Sequence, residues 1–192
     1  MVRKPGKMLF IEGSRDETNG DLAEGFKILF EKKLAGKMPR IVMGNGKNET
    51  VDKFLNLQIE SKAFSGVKRF VLVDLDKSGE TKAIEADRKE YKIHEHKEVS
   101  FYMIQEMEAW FISQAENVLD KYYKAEISKK IPKKSASEFS HPDEQIGEWL
   151  RPLKKEYRKV KDGVELLKLL DLGKLENDFP DVKNLVTELS KA

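Results

Sequence analysis

Residues 69–76 read Arg69-Phe70-Val71-Leu72-Val73-Asp74-Leu75-Asp76. The apolar run has no polar break, which is the pattern of a strand covered on both faces, and it ends on two acids. Residues 8–13, Met8-Leu9-Phe10-Ile11-Glu12-Gly13, repeat the design with a single carboxylate at the end. Open parallel sheets gather ligands beyond the carboxyl ends of their strands, so acids placed there point to a metal site. Asp74 and Asp76 are two residues apart and leave the same face of an extended chain. Carboxylates held that close raise one another's pKa unless a cation sits between them. Hard oxygen ligands of this kind suit Mg²⁺ or Mn²⁺.

Around these two strands the chain alternates short apolar runs with longer amphipathic ones. Further strands are expected at Arg40-Ile41-Val42-Met43 and at Val99 to Ile104. Leu22, Phe26, Leu29, Phe30 and Leu34 mark one helix, and Val51, Phe54, Leu55 and Ile59 another. This alternation predicts an α/β fold with an open, mostly parallel sheet of about four strands flanked by helices. In a flavodoxin-like order the first and third strands are neighbours, and Glu12 then faces Asp74 and Asp76.

Gly79 to Lys97 is mostly polar and reads as an exposed helix and a loop, with His94-Glu95-His96 a solvated segment. Met107, Trp110, Phe111, Val118 and Tyr122 then form the stripe of one continuous helix. Lys129 to Ser137 is basic, polar and broken by Pro132, as in a mobile loop or linker. Beyond it, helical spacing continues from Ile146 to Leu189, with His141-Pro142 as a helix entry. The expected organisation is an α/β domain over residues 1–125 and a helical C-terminal extension over 126–192, packed on the domain or capping it.

Among 192 residues 36% are charged, yet the formal net charge is only +2, so global charge does not mark a nucleic-acid binder. The absence of cysteine removes disulfides, zinc-thiolate sites and thiol nucleophiles together. The basic start, residues 1–7, precedes an apolar run too short for a signal peptide, and no stretch approaches the roughly 20 apolar residues of a membrane span. A cytoplasmic protein with no membrane association is expected. No Ser-His-Asp set or Gly-x-Ser-x-Gly elbow is present, which argues against acyl hydrolysis.

A third acidic cluster is Gln105-Glu106-Met107-Glu108-Ala109-Trp110, after the fourth strand. If the chain is extended there, Glu106 and Glu108 point the same way and join the metal site. If the helix has begun, they diverge by about 200° and only one does; acids favoured by a helix dipole are the plain alternative. Gly44-Asn45-Gly46-Lys47 offers backbone amides and Lys47 to a phosphate, although its spacing also fits an ordinary turn. Ser14 and Arg15, after Glu12, offer a similar weak phosphate contact, with a helix cap as the alternative for Ser14.

A Glu ending the first strand before Gly13, with an Asp-x-Asp ending the third, resembles the Toprim domain, the catalytic module of topoisomerases, bacterial primases, small ribonucleases and overcoming-lysogenization-defect nucleases. The resemblance covers residues 7 to 120, and its motifs are short. Gln105-Glu106-Met107-Glu108-Ala109-Trp110 also looks like the signature of small, stand-alone, uncharacterised Toprim-like proteins with helical C-termini. The resemblance implies that Glu12 is a general acid or base and that Asp74 and Asp76 are Mg²⁺ ligands. The fuller Toprim pattern carries a third acid two residues after the second Asp, where this chain has Ser78. Either Glu80, Glu106 or Glu108 takes its place, or the ion is held by fewer side chains and more water.

The expected function is Mg²⁺-dependent phosphodiester hydrolysis or phosphoryl transfer on nucleic acid or nucleotides. With no tyrosine that can be named as a nucleophile, hydrolysis is favoured over strand passage. The alternative is a non-catalytic nucleic-acid-binding or protein-binding regulatory module, with room for a protein partner or a homodimer. A phosphatase of the haloacid dehalogenase kind ranks below both, because its Asp-x-Asp ends the first strand.

Overall fold

The computed structural model describes residues 6–13, 15–16, 20–60 and 66–191, the side chains of residues 15, 16, 20, 21 and 57–60 aside. Four strands form the main sheet: β1 (Lys7–Gly13), β4 (Arg40–Asn45), β5 (Lys68–Asp74) and β6 (Ser100–Met103). All pairings are parallel and the order is β4-β1-β5-β6, the flavodoxin-like arrangement. Met8 to Ile11 and Phe70 to Val73 are buried without alternation, as expected for strands covered on both faces. A short antiparallel pair, β2 (Arg15–Asp16) and β3 (Gly20–Asp21), follows β1.

Helices join consecutive strands: α1 (Leu22–Leu34), α2 (Lys47–Glu60) and α3 (Thr81–Glu90). α2 packs on β1, β4 and β5, with Phe54 edge-on to Phe10 at 6.0 Å. The entry to α2 is tight, since a Cβ on Gly44 would lie 2.6 Å from the Cα of Thr50. Only glycine lets the strand and the helix approach this closely.

After β6, the stripe from Met107 to Tyr122 is not one helix. It breaks into α4 (Glu108–Ser113) and α5 (Leu119–Tyr123). The reason lies at Gln114, whose amide exchanges two 2.9 Å hydrogen bonds with the backbone of Asp171 and so ties the break to a distant turn. The basic stretch after α5 is likewise fastened rather than loose. The Asp120 carboxylate accepts from the backbone of Ile127 (2.6 Å) and Ser128 (2.9 Å), and Gln105 donates to the Ser137 carbonyl at 3.2 Å.

Further helices follow: α6 (Pro142–Leu150), α7 (Lys159–Leu169), α8 (Leu172–Asp178) and α9 (Pro180–Ser190). α7 lies along α1, and α9 packs on β6 and α1. Asp181 accepts the backbone N–H of Tyr102 at 3.0 Å, while Trp110, fully buried, lies between Phe26 and Phe179. A fully buried side chain of this class contributes about 1.5–3 kcal/mol by transfer from water. Among the described residues no helix is long and apolar enough to cross a membrane.

Candidate metal centre

The parallel register brings β1, β5 and β6 to a common end. Glu12 sits one residue beyond the Ile11–Leu72 pair, and its Oε2 accepts the backbone N–H of Asp74 at 3.0 Å. Asp74 closes β5, is 7% exposed, and its Oδ1 accepts the backbone N–H of Met107 at 3.0 Å. The Glu12 carboxylate thus bridges β1 to β5, and that of Asp74 bridges β5 to the start of α4.

Asp76 does not share the face of Asp74. The strand ends at Asp74, and Asp76 takes a left-handed φ of 58°, which cancels the two-residue periodicity of an extended chain. Its carboxylate turns to the Lys47 ammonium at 3.0 Å and stays 59% exposed. Gln105, opposite on the neighbouring strand end, is also left-handed at 62°. The two loops are stitched by Asp76 N–H to Gln105 O (2.7 Å) and Gln105 N–H to Lys77 O (3.1 Å). Paired non-glycine residues in this region of φ store strain of a few kcal/mol, a habit of functional sites.

Glu106 belongs to neither strand nor helix, lying between the left-handed Gln105 and the start of α4 at Glu108. Both acids nevertheless stay in one electrostatic neighbourhood. Burial pushes Glu106 up to about 7, and the charge of Glu108 adds to this. Glu108 is fully buried; its Oε1 accepts the Tyr157 hydroxyl at 2.6 Å and its Oε2 lies 3.7 Å from the Lys159 ammonium. Burial raises its pKa while Lys159 opposes the rise. Burial raises Asp74 well above the usual carboxylate range, with the charge of Glu12 next in weight. Burial also lifts Glu12 to about 6, against the hydrogen bond from Asp74. Burial works against the charge on Lys159, but Glu108, Asp74 and Glu106 outweigh it and raise its pKa.

Of the remaining expected residues, Lys47 opens α2 but is buried, with its ammonium between Asp76 and Asp87 (3.1 Å) and 5.1 Å from the Tyr91 ring centre. Glu80 is exposed at the start of α3, apart from the acids. Ser14 lies outside the described residues, and of Arg15 only the backbone, in β2, is described. Three side chains of this end were not foreseen: Tyr157, Lys159 and Asp87. Tyr157 and Lys159 stand in a lysine-rich stretch that gives no local signal, and Asp87 lies in a polar helix whose burial no periodicity shows.

The donor chemistry fits a hard divalent ion. Glu106 Oε2 and Glu108 Oε2 are buried without hydrogen-bond partners, and mutual repulsion raises the acids, which a cation would relieve. Among the described residues no three acids or histidines are gathered closely enough to hold a metal ion. An ion here would keep few protein ligands and several waters, as Mg²⁺ commonly does.

Comparison with known proteins agrees with this architecture. A family model described as a domain of unknown function, DUF4276, matches residues 27–190. No curated protein matches the chain. Among solved structures, the C-terminal region of the OLD protein of Burkholderia pseudomallei superposes with a TM-score of 0.53 over 96% of each chain at 12% identity. That likeness is one of fold, and it supports the Toprim-like architecture.

Proposed function

The chain belongs to the DUF4276 family and has a Toprim-like fold, and from that footing we propose that it is a Mg²⁺-dependent enzyme hydrolysing phosphodiesters of nucleic acid or nucleotides. The observation that carries this reading is the keyed pair of Glu12 and Asp74 at adjacent strand ends, with Glu106 and Glu108 beside it. Asp74 would hold the ion with Glu106 or Glu108 and several waters, and Asp76 would join only by leaving Lys47. When bound, Mg²⁺ or Mn²⁺ neutralises charge on the phosphate and lowers the pKa of a coordinated water.

The chain's own groups have distinct tasks in this reading. Glu12, held by the Asp74 N–H and less buried than Asp74, takes or returns the proton. Lys159 offsets the charge of Glu108 and opposes the rise in its pKa that burial causes. Tyr157 fixes the Glu108 carboxylate by its hydroxyl. Asp74→Asn is expected to lower Mg²⁺-dependent cleavage of labelled DNA or RNA by about 10²–10³-fold, the range for removing one group that stabilises developing charge. Undiminished cleavage by that variant would overturn the proposal.

A second reading has its own observation. Lys47 and Lys159 already pair with Asp76 and Glu108, so the acids carry internal counter-ions. This suits a binding or regulatory module that keeps the fold without turnover. Such a module would bind nucleic acid or a protein partner and leave every substrate intact with Mg²⁺ or Mn²⁺ present.

A further inference from the structure

A cavity of about 660 Å³ lies between α6 and the segment leading into α7, and a second of about 510 Å³ lies against α5. Lys155 and Glu156 line both, so the two share a wall. Each volume falls within the roughly 300–1,000 Å³ of ligand sites.

The walls of this groove carry opposite charge. α6 contributes Asp143, Glu144 and Glu148. Facing them are Arg151, Lys154 and Lys155, continued by Lys124 and Arg158 beside α5. Two of these cations are already engaged: Lys155 donates to the Tyr123 carbonyl, and Arg158 pairs with the buried Asp162 at 3.0 Å. Arg151, Lys154 and Lys124 are exposed and make no side-chain hydrogen bond or ion pair with any described residue.

An aromatic surface and an exit toward the acids complete the groove. Tyr122 is half-buried, its hydroxyl fixed on Asp162 at 3.0 Å and its ring edge-on to Tyr123 at 4.8 Å. A fixed ring beside cations is the combination on which single-stranded nucleic acids stack. Tyr157 and Lys159 line the first cavity and reach Glu108.

We propose that this groove binds one strand of nucleic acid, with phosphates along Arg151, Lys154 and Lys124 and a base on Tyr122. The acidic face of α6 discriminates against duplex, because a second phosphate backbone would lie against Glu144 and Glu148, and like charges in contact repel. The proposal rests on the function proposed above for the strand's destination, while its binding step needs no metal.

The test is fluorescence anisotropy of the full chain in EDTA, with labelled DNA and RNA single strands of about 20 nucleotides, longer than the roughly 4–16 that one compact domain covers. The same sequences as blunt duplexes are the comparison. Single strands bind about tenfold more tightly than duplex. Arg151→Ala with Lys154→Ala weakens single-strand binding about tenfold and lowers the salt slope by about 0.7 for each phosphate no longer neutralised. Glu144→Lys with Glu148→Lys, both on exposed positions, brings duplex affinity up to that of single strands. Equal binding of both forms by the native chain, or single-strand affinity indifferent to Arg151 and Lys154, overturns the proposal. Cleavage that requires Asp74 with binding indifferent to Arg151 removes the groove alone. Binding as described without any cleavage removes the enzymatic reading and keeps the groove.

Discussion

Glu12 Oε2 accepts the backbone N–H of Asp74 at 3.0 Å, so the acid ending β1 is keyed to the acid ending β5. The bond engages one oxygen of the Glu12 carboxylate and leaves the other without a hydrogen bond to any described residue. Replacing Glu12 by Gln keeps an oxygen able to accept from Asp74 but removes the charge and the proton acceptor. Glu12→Gln therefore retains the fold, with an unfolding midpoint close to native in EDTA, and loses about 10²–10⁴-fold in Mg²⁺-dependent cleavage, the range of general acid–base catalysis.

Stability should fall as pH rises. Glu12 is raised to about 6 and Glu106 to about 7 from an ordinary 4.5. A carboxyl raised in the folded state holds its proton more tightly there than in the unfolded chain. Its contribution is full below about 4.5 and is lost as pH rises through 6 to 7. In EDTA the melting temperature is expected to be higher at pH 5 than at pH 8. With Mg²⁺ present the difference narrows, because the ion binds the ionised acids and stabilises the folded state by mass action.

Lys159 supplies the charge nearest Glu108. Lys159→Met leaves the fully buried Glu108 carboxylate its hydrogen bond from the Tyr157 hydroxyl but removes its neighbouring cation. Breaking a fully buried pair costs about 3–5 kcal/mol. Here 37% of the lysine side chain is exposed, and solvent screening lowers the cost to about 1–3 kcal/mol. Denaturant unfolding at pH 7.5 reads the loss.

Asp162 is a structural acid. It is 1% exposed and accepts from Tyr122 (3.0 Å), Tyr123 (3.1 Å) and the backbone and side chain of Arg158 (2.8 and 3.0 Å). Asp162→Ala strands these donors and is expected to cost about 2–3 kcal/mol in chemical denaturation. On the edge strand β4, opposite Glu12 in register, Gly44→Ala would drive a methyl group into the Thr50 backbone, which has no rotamer to yield. An unfolding free energy lower by about 1–3 kcal/mol is expected there.

The strands and the first helices could be read from the sequence because Leu9 to Ile11 and Phe70 to Val73 are apolar on both faces, leaving no competing periodicity. Glu12 and Asp74 came with them, since strand ends fix where such acids sit. Asp76 did not follow, because its left-handed φ of 58° is set by the backbone stitch to Gln105, across a gap of 29 residues that no local pattern encodes. The break at Gln114 has the same origin, a tertiary bond to Asp171. Tyr157 and Lys159 reach Glu108 from α7 and its approach across about fifty positions of sequence, a tertiary choice that overrides local propensity.

The central claim, a divalent ion held at the end of β1 and β5 by Asp74 and its neighbours, is tested most directly by anomalous diffraction from crystals soaked in Mn²⁺. A peak about 2.1 Å from a carboxylate oxygen of Asp74, within reach of Glu12, Glu106 or Glu108 and absent in Asp74→Asn crystals, is the predicted result. Ordered carboxylates with no peak among them, or a peak that persists unchanged in Asp74→Asn, would contradict it.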